Sequence, residues 1–266
     1  MKEKKHLLSR GNRLDSCHRD ITQNRTIMKS LKLILPIGFL FFIAASCNKH
    51  FGTIKGKGNN VTEIRAITNF NKIKLDMDAD VTYVQDSTFY VEISAQSNIM
   101  GVIKTSVSAG ELKIETTKWI RKHNPITLII HSPSIVGLTV SGSGNINSNS
   151  AISSAFLDLK ISGSGNISLY SVQSGELEAT ISGSGNISVV NGTVTNEKAT
   201  VSGSGNIETL NLTATNAAAK ISGSGDISVR VTQTLDAVIS GSGDIIYAGT
   251  AAVNATISGS GSVTHI

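Results

Sequence analysis

The chain has 266 residues, 25 of them Gly, 3 Pro and 2 Cys, with aromatics at 5%, enough for one large β domain or two small ones. Its 24 Lys and Arg against 19 Asp and Glu give a net charge of +5, but residues 1–46 hold nine basic and three acidic residues, leaving 15 and 16 from Cys47 onward. Without that front the chain is near neutral at −1, which removes the electrostatic case for nucleic-acid binding.

Residues 1–27 are polar, contain Arg10, Arg13, Arg19 and Arg25, and show no apolar periodicity. They read as an upstream extension or leader, with translation expected to begin at Met28. From there Lys29 and Lys32 form a short basic region, Leu33 to Ile43 an apolar run, and Ala44-Ala45-Ser46 a small-residue stretch before Cys47. That layout is a secretory signal peptide over residues 28–46, and its run is short for a membrane-spanning helix, which needs about 20 apolar residues. A Cys directly after three small residues resembles the lipobox of bacterial lipoproteins, which implies that Cys47 is lipidated and becomes the first mature residue. Such a chain keeps no second Cys and has no internal disulfide. Residues 47–57, with Gly52 and Gly56 among polar neighbours, read as a tether.

From 58 to 130 the pattern is strand-like, as in Ile73-Lys-Leu75, Val81-Thr-Tyr83, Phe89-Tyr-Val91-Glu-Ile93, Leu112-Lys-Ile114 and Leu128-Ile-Ile130. These segments are expected to form irregular first coils that begin a stack and cap its edge, in one domain with the repeats that follow over 131–266.

Those repeats decide the fold. Ser-Gly-Ser-Gly begins at residues 141, 162, 182, 202, 222, 240 and 258, in steps of 21, 20, 20, 20, 18 and 18 residues. A β-branched residue precedes each copy (Val140, Ile161, Ile181, Val201, Ile221, Ile239, Ile257). Another follows one residue after it (Ile146, Ile167, Ile187, Ile207, Ile227, Ile245, Val263). Between lie Asn145, Asn166, Asn186, Asn206, Asp226, Asp244 and Ser262. Flanking alternation such as Leu177-Glu-Ala179-Thr-Ile181 has the period of strands buried on one face. The expected unit is strand, SGSGN turn, strand, second turn, with Gly supplying backbone freedom and Asn or Asp tolerating left-handed φ. One unit cannot bury its own apolar face, so copies must stack. Helical solenoids do not fit the Gly/Ser density, and propeller blades need about twice this length. What remains is an all-β parallel β-helix, a single-stranded β-solenoid with coils of about 18–21 residues, Asn side chains laddering along its axis.

The chemical motifs are weak. Gly-Ser-Gly-Asn lacks the Lys-Ser/Thr and the helix of a phosphate loop. Asp226 and Asp244 sit one coil apart, about 5 Å by strand spacing, and as a carboxylate pair would suit a carbohydrate-active β-helix enzyme, a polysaccharide lyase or hydrolase. Two solvated turn residues replacing Asn is the simpler account. Asp76-Met-Asp78-Ala-Asp80 imitates the start of an EF-hand loop, but Val81 stands in place of Gly and Ser87 in place of Glu, and strand alternation accounts for it. His50, His123, His131 and His265 show no metal-ligand spacing. Trp119 with Lys118, Arg121 and Lys122 reads as a solvated loop able to touch an anionic surface. No catalytic residue, metal or cofactor is expected.

The Gly58-Asn-Asn-Val61 opening, Phe70-Asn-Lys-Ile73, Asp80-Val81, Leu112-Lys-Ile114, Ile129-Ile130, Ser132-Pro133 and the repeated Gly-Asn-Ile resemble the bacterial auto-transporter adhesin head, or GIN domain, over residues 58–266. That resemblance implies a right-handed parallel β-helix on an exported, lipid-anchored protein of Bacteroidetes type. It carries no catalytic residues, and its adhesin label is itself drawn from architecture. The expectation is therefore a non-enzymatic lipoprotein of the cell envelope, outer-membrane anchored through Cys47, with a glycan or protein ligand. A self-assembling scaffold joined through the uncapped C-terminal coil is the further alternative.

Overall fold

The computed structural model describes residues 52–266; the leader, the signal peptide and Cys47 lie outside the described residues. The segments before the repeats are β1 (Thr53–Lys55), β2 (Asn60–Ile64), β3 (Lys72–Asp76), β4 (Asp80–Gln85), β5 (Tyr90–Gln96), α1 (Ser97–Met100), β6 (Ile103–Ser108), β7 (Glu111–Thr116), β8 (Trp119–Arg121) and β9 (Thr127–Ser132). The repeats supply β10 (Gly137–Val140), β11 (Asn145–Ile161), β12 (Ile167–Ile181), β13 (Ile187–Val201), β14 (Ile207–Ile221), β15 (Ile227–Ile239), β16 (Ile245–Gly249), β17 (Ala252–Ile257) and β18 (Val263–His265). From β10 onward each strand pairs in parallel with the one a coil later, and the result is a β-solenoid of about six turns.

The segments before residue 137 do not stack in chain order. β3 pairs with β7 on one side and β10 on the other, and β4 with β9 and β11. Thus β3–β4 is the second layer, and the chain leaves it to lay β7 and β9 beneath before returning at β10. On the way β5 runs antiparallel beside β9, β6 antiparallel beside β7, and α1 buries Ile99 and Met100 in the core. The expected irregular coils are therefore two regular layers with an antiparallel cap, which occupies the strand edges the first layer would otherwise expose. The tether expectation also changes: Thr53–Lys55 pairs with Trp119–Arg121, and the Asn98 side chain bonds Lys57 N–H and the Lys55 carbonyl. The loop expected around Trp119 is strand β8.

The solenoid interior is built from columns. Ile146, Ile167, Ile187, Ile207, Ile227 and Ile245 stack in register after the turn, and Val140, Ile161, Ile181, Val201, Ile221 and Ile239 before it, all at most 1% exposed. The unequal repeat lengths are absorbed at the corner opposite the SGSG turn. The 21-residue step carries its extra residue between Ser148 and Ala151, and the first 18-residue step sheds two between Thr209 and Asn216. Both faces stay in register because the corner alone changes length. No separate second turn interrupts β11 to β15, which run for 13 to 17 residues; backbone pairing to neighbouring coils continues around the bend.

The turn glycines serve close approach, not unusual φ. None of those in the seven SGSG copies has positive φ. A Cβ on Gly185 would lie 1.7 Å from the Gly165 carbonyl oxygen, and one on Gly205 1.8 Å from that of Gly185. Coils are about 4.8 Å apart, and only a hydrogen side chain leaves room for the carbonyl of the coil below.

One core position is out of character. By register Glu197 follows Leu157 and Leu177 in a single column, and it is 2% exposed. Its Oε1 meets the buried Thr209 hydroxyl at 2.6 Å, while Oε2 has no partner. Burial pushes the Glu197 carboxyl up to about 7, against the opposing hydrogen bond from Thr209. The Thr209 hydroxyl also lies 3.0 Å from the Ser228 carbonyl; it has one hydrogen for two acceptors. A protonated Glu197 resolves this by donating to Thr209, which then donates to Ser228.

Candidate functional site

Two surface features could carry function. The first is the turn ladder. The N–H of Asn166 donates to Asn145 Oδ1 at 3.1 Å, and those of Asn186, Asn206 and Asp226 donate to the side chain one coil earlier at 2.9 Å. Asp244 N–H donates to Asp226 Oδ1 at 2.8 Å, and Ser262 donates to Asp244 Oδ1 from its N–H at 2.7 Å and from Oγ at 2.9 Å. Each side-chain oxygen caps a backbone donor that turns away from the strand ladder. Asp226 and Asp244 are rungs of this series, each with one carboxylate oxygen committed to the next coil.

The ladder has a member that the repeat pattern hides. Asn145 Nδ2 donates to Asp80 Oδ1 at 2.8 Å, and Leu75, Asp80 and Val81 stand in register with Val140, Asn145 and Ile146. Asp76-Met77-Asp78-Ala79-Asp80 is thus a turn equivalent to SGSGN, not alternating strand. Its flanking Leu75 and Val81, six residues apart like Val140 and Ile146, were the available signal.

The second feature is a groove of about 540 Å³ on the outer surface of the strands after the turns. Outward positions there are apolar where strand alternation calls for polar residues: Val190, Leu210, Ile246 and Ile266 line it, with Glu208 and Asp226 at its polar margin. Val190 is 46% exposed and Ile266 64%. Beside it Arg230 is held in place, its Nε donating to the Leu210 carbonyl at 2.9 Å. The face before the turns is different: Lys160 pairs with Asp158 at 2.5 Å and Lys198 with Glu178 at 2.7 Å, a solvated, charged wall.

The remaining titratable residues are dispersed. His131 pairs with Asp86, whose carboxyl is held down at about 2, chiefly by the Thr88 hydroxyl and N–H and then by His131. Tyr83 is buried with its hydroxyl 3.1 Å from Ser132 Oγ, and burial pushes its phenol up to about 12. His123 stands 3.8 Å from Asp78, and His265 bonds the Gly249 carbonyl. Among the described residues no three His, Cys, Asp or Glu converge to hold a metal ion, and no helix is long and apolar enough to cross a membrane. Trp119 is 65% exposed at the β1–β8 edge.

A family model described as "putative auto-transporter adhesin, head GIN domain" matches residues 69–251. The chain belongs to that family. Solved structures agree with this GIN-domain assignment. A putative adhesin from Bacteroides fragilis is 26% identical, with a TM-score of 0.77 over 80% of this chain and 100% of that one. A putative lipid binding protein from Parabacteroides distasonis is 29% identical, with a TM-score of 0.70 over 80% of this chain and 99% of that one. A putative adhesin from Parabacteroides merdae, 24% identical with a TM-score of 0.66 over 80% of this chain and 99% of that one, shares the fold. No curated protein matches. The groove lies within coils that the GIN-domain match covers, apart from Ile266.

Proposed function

We propose that this GIN-domain chain is a non-enzymatic contact module of the cell envelope, anchored through lipidated Cys47 and binding its ligand along the groove after the turns. The observation that carries the reading is the cluster of outward apolar side chains, Val190, Leu210 and Ile246, lining one groove on a scaffold whose other outer wall is charged. Exposed apolar surface rimmed by polar groups marks interaction sites, and the family and its Bacteroides fragilis and Parabacteroides merdae neighbours are described as adhesins. Asp226 and Asp244 act as structural rungs in this reading, not as an acid–base pair.

The apolar lining also favours a second reading, in which the groove takes an acyl chain; one neighbour is described as lipid binding. Binding of the protein to arrayed glycans, matrix proteins and phospholipid vesicles, comparing wild type with Val190→Asp and Ile246→Asp, separates the two. Loss of a glycan or protein signal in both variants supports contact, and loss of vesicle binding alone supports the acyl reading. Signals unchanged by both variants would place binding elsewhere and refute the groove. Turnover of any arrayed polysaccharide that is abolished by Asp226→Asn with Asp244→Asn would reinstate the enzyme.

A further inference from the structure

The basic and aromatic residues around Trp119 take no part in the groove, and the fold gives them a face of their own. In the parallel pair of β1 with β8, Thr53 stands beside Trp119 and Lys55 beside Arg121, while Ile54 and Ile120 between them pack against the core. Parallel partners in register share a face and successive residues alternate, so Lys55, Trp119 and Arg121 are presented outward together, all three exposed. Lys57, Lys118 and Lys122, also exposed, flank them. Residues 53–57 and 117–123 hold five Lys and Arg and no Asp or Glu. None of the five pairs with a carboxylate among the described residues. The ribbon's backbone is tied down: Gly56 N–H donates to the Lys122 carbonyl and Trp119 N–H to the Gly52 carbonyl, both at 3.3 Å, and the Asn98 side chain bridges Lys55 and Lys57.

We propose that this ribbon lies on the anionic headgroups of the membrane that holds the Cys47 anchor, with Trp119 seated at the interface and the five cations over lipid phosphates. The proposal rests on the anchored reading above. Position selects that occupant over other polyanions. Thr53 is six residues after Cys47, so the ribbon starts within about 20 Å of the lipidated residue. The intervening Asn48-Lys49-His50-Phe51-Gly52 adds no acidic residue. Chemistry agrees with position. The Trp ring, apolar with one N–H, favours the boundary between headgroups and acyl chains, and each Lys or Arg held near an anionic bilayer strengthens attachment roughly fivefold. An acyl anchor joined to a basic patch is the two-signal arrangement that makes attachment lasting. The groove lies further along the stack, since β4, β11 and β12 stand between β9, which follows β8, and β13, where the groove lining starts.

Trp119 is the one Trp of the chain, so its fluorescence reads the contact directly. The processed protein, extracted in detergent from expressing cells, is reconstituted into vesicles of phosphatidylcholine alone or with phosphatidylglycerol, each carrying lipid brominated on its acyl chains. Flotation with the neutral vesicles reads the anchor, and quenching by bromine reads the ribbon. Wild type is expected to float with both, with Trp119 blue-shifted and quenched several-fold more in the anionic vesicles, and with the quench released in high salt. Lys55→Gln with Arg121→Gln is expected to float like wild type and lose most of the quench at an unchanged circular dichroism spectrum. Lys198→Gln with Lys220→Gln, exposed on the face before the turns, is expected to keep it. Should the ribbon variant fail to fold, the salt series on wild type decides alone. A wild type that floats with Trp119 unquenched in anionic vesicles, equal quenching in both vesicles, a quench indifferent to salt, or a folded ribbon variant still quenched would each overturn the ribbon with the anchor intact. A Trp119 shift with soluble polyphosphate or an acidic glycan but not with anionic vesicles would overturn it in favour of a soluble polyanion. A wild type that does not float with neutral vesicles would overturn the anchor, and this proposal with it.

Discussion

Replacing Glu197 by Leu removes the one carboxylate from a column that otherwise reads Leu157, Leu177 and then Ala217. The folded carboxyl is raised from 4.5 to about 7 by burial, so between those values the unfolded chain releases a proton that the folded chain keeps. Stability therefore falls as pH rises through that window and is level above it. The difference of roughly 2.5 pH units corresponds to about 3 kcal/mol at 1.36 kcal/mol per unit, a large share of a marginal stability. In Glu197→Leu the Thr209 hydroxyl keeps the Ser228 carbonyl as acceptor, so no new orphan is created and the side chain matches that of Leu177 one coil away. Urea unfolding followed by circular dichroism at a series of pH values should show wild type losing about 3 kcal/mol from below pH 4.5 to above pH 7, and the variant losing none of it. Glu197→Gln, which keeps the size but cannot ionise, should likewise lose the pH dependence. A wild type with flat stability across the window, or a variant with the same slope, would refute the burial argument.

Gly205→Ala places a methyl 1.8 Å from the Gly185 carbonyl and should cost about 2 kcal/mol or more in thermal or urea unfolding. Gly101→Ala, with φ −66° and open space around its Cβ, should be near neutral; similar costs for the two would defeat the close-approach account of the turns. Asp226→Asn with Asp244→Asn should leave unfolding within about 0.5 kcal/mol of wild type, because four other coils hold Asn at that rung and Asn Oδ1 accepts the same N–H. A substantial loss of stability would show that those two turns depend on charge.

The period-two alternation and the seven spaced turns made the β-helix readable before any coordinates, since a column of Ile can form only if coils of nearly equal length stack. Glu197 is readable by the same logic, one coil after Leu177 and on the inward parity of Ala199 and Val201, and only its charge argues for the surface. The DMDAD turn escaped because Met77 and Ala79 replace the glycines. The layer before this turn meets it through the Ile126 carbonyl, which accepts from Asp80 N–H, and through His123 near Asp78, and residues 117–126 contain no glycine, so the glycine-on-glycine stacking of the later copies does not begin until Gly142 and Gly144. The inverted order of the first two layers left no mark in composition, because β3, β4, β7 and β9 have the same alternating pattern whichever is laid down first. Val190, Leu210 and Ile246 stand on outward positions in the sequence, but single exposed apolar residues are ordinary in strands, and only the folded surface brings these three to one groove.

The account's central claim, an anchored module presented for contact, is tested most directly by metabolic fatty-acid labelling combined with surface proteolysis of intact cells, wild type against Cys47→Ala. The account predicts label on wild type only, with the solenoid cleaved or shed from outside. No label on wild type, or label with complete protection from external protease, would contradict it.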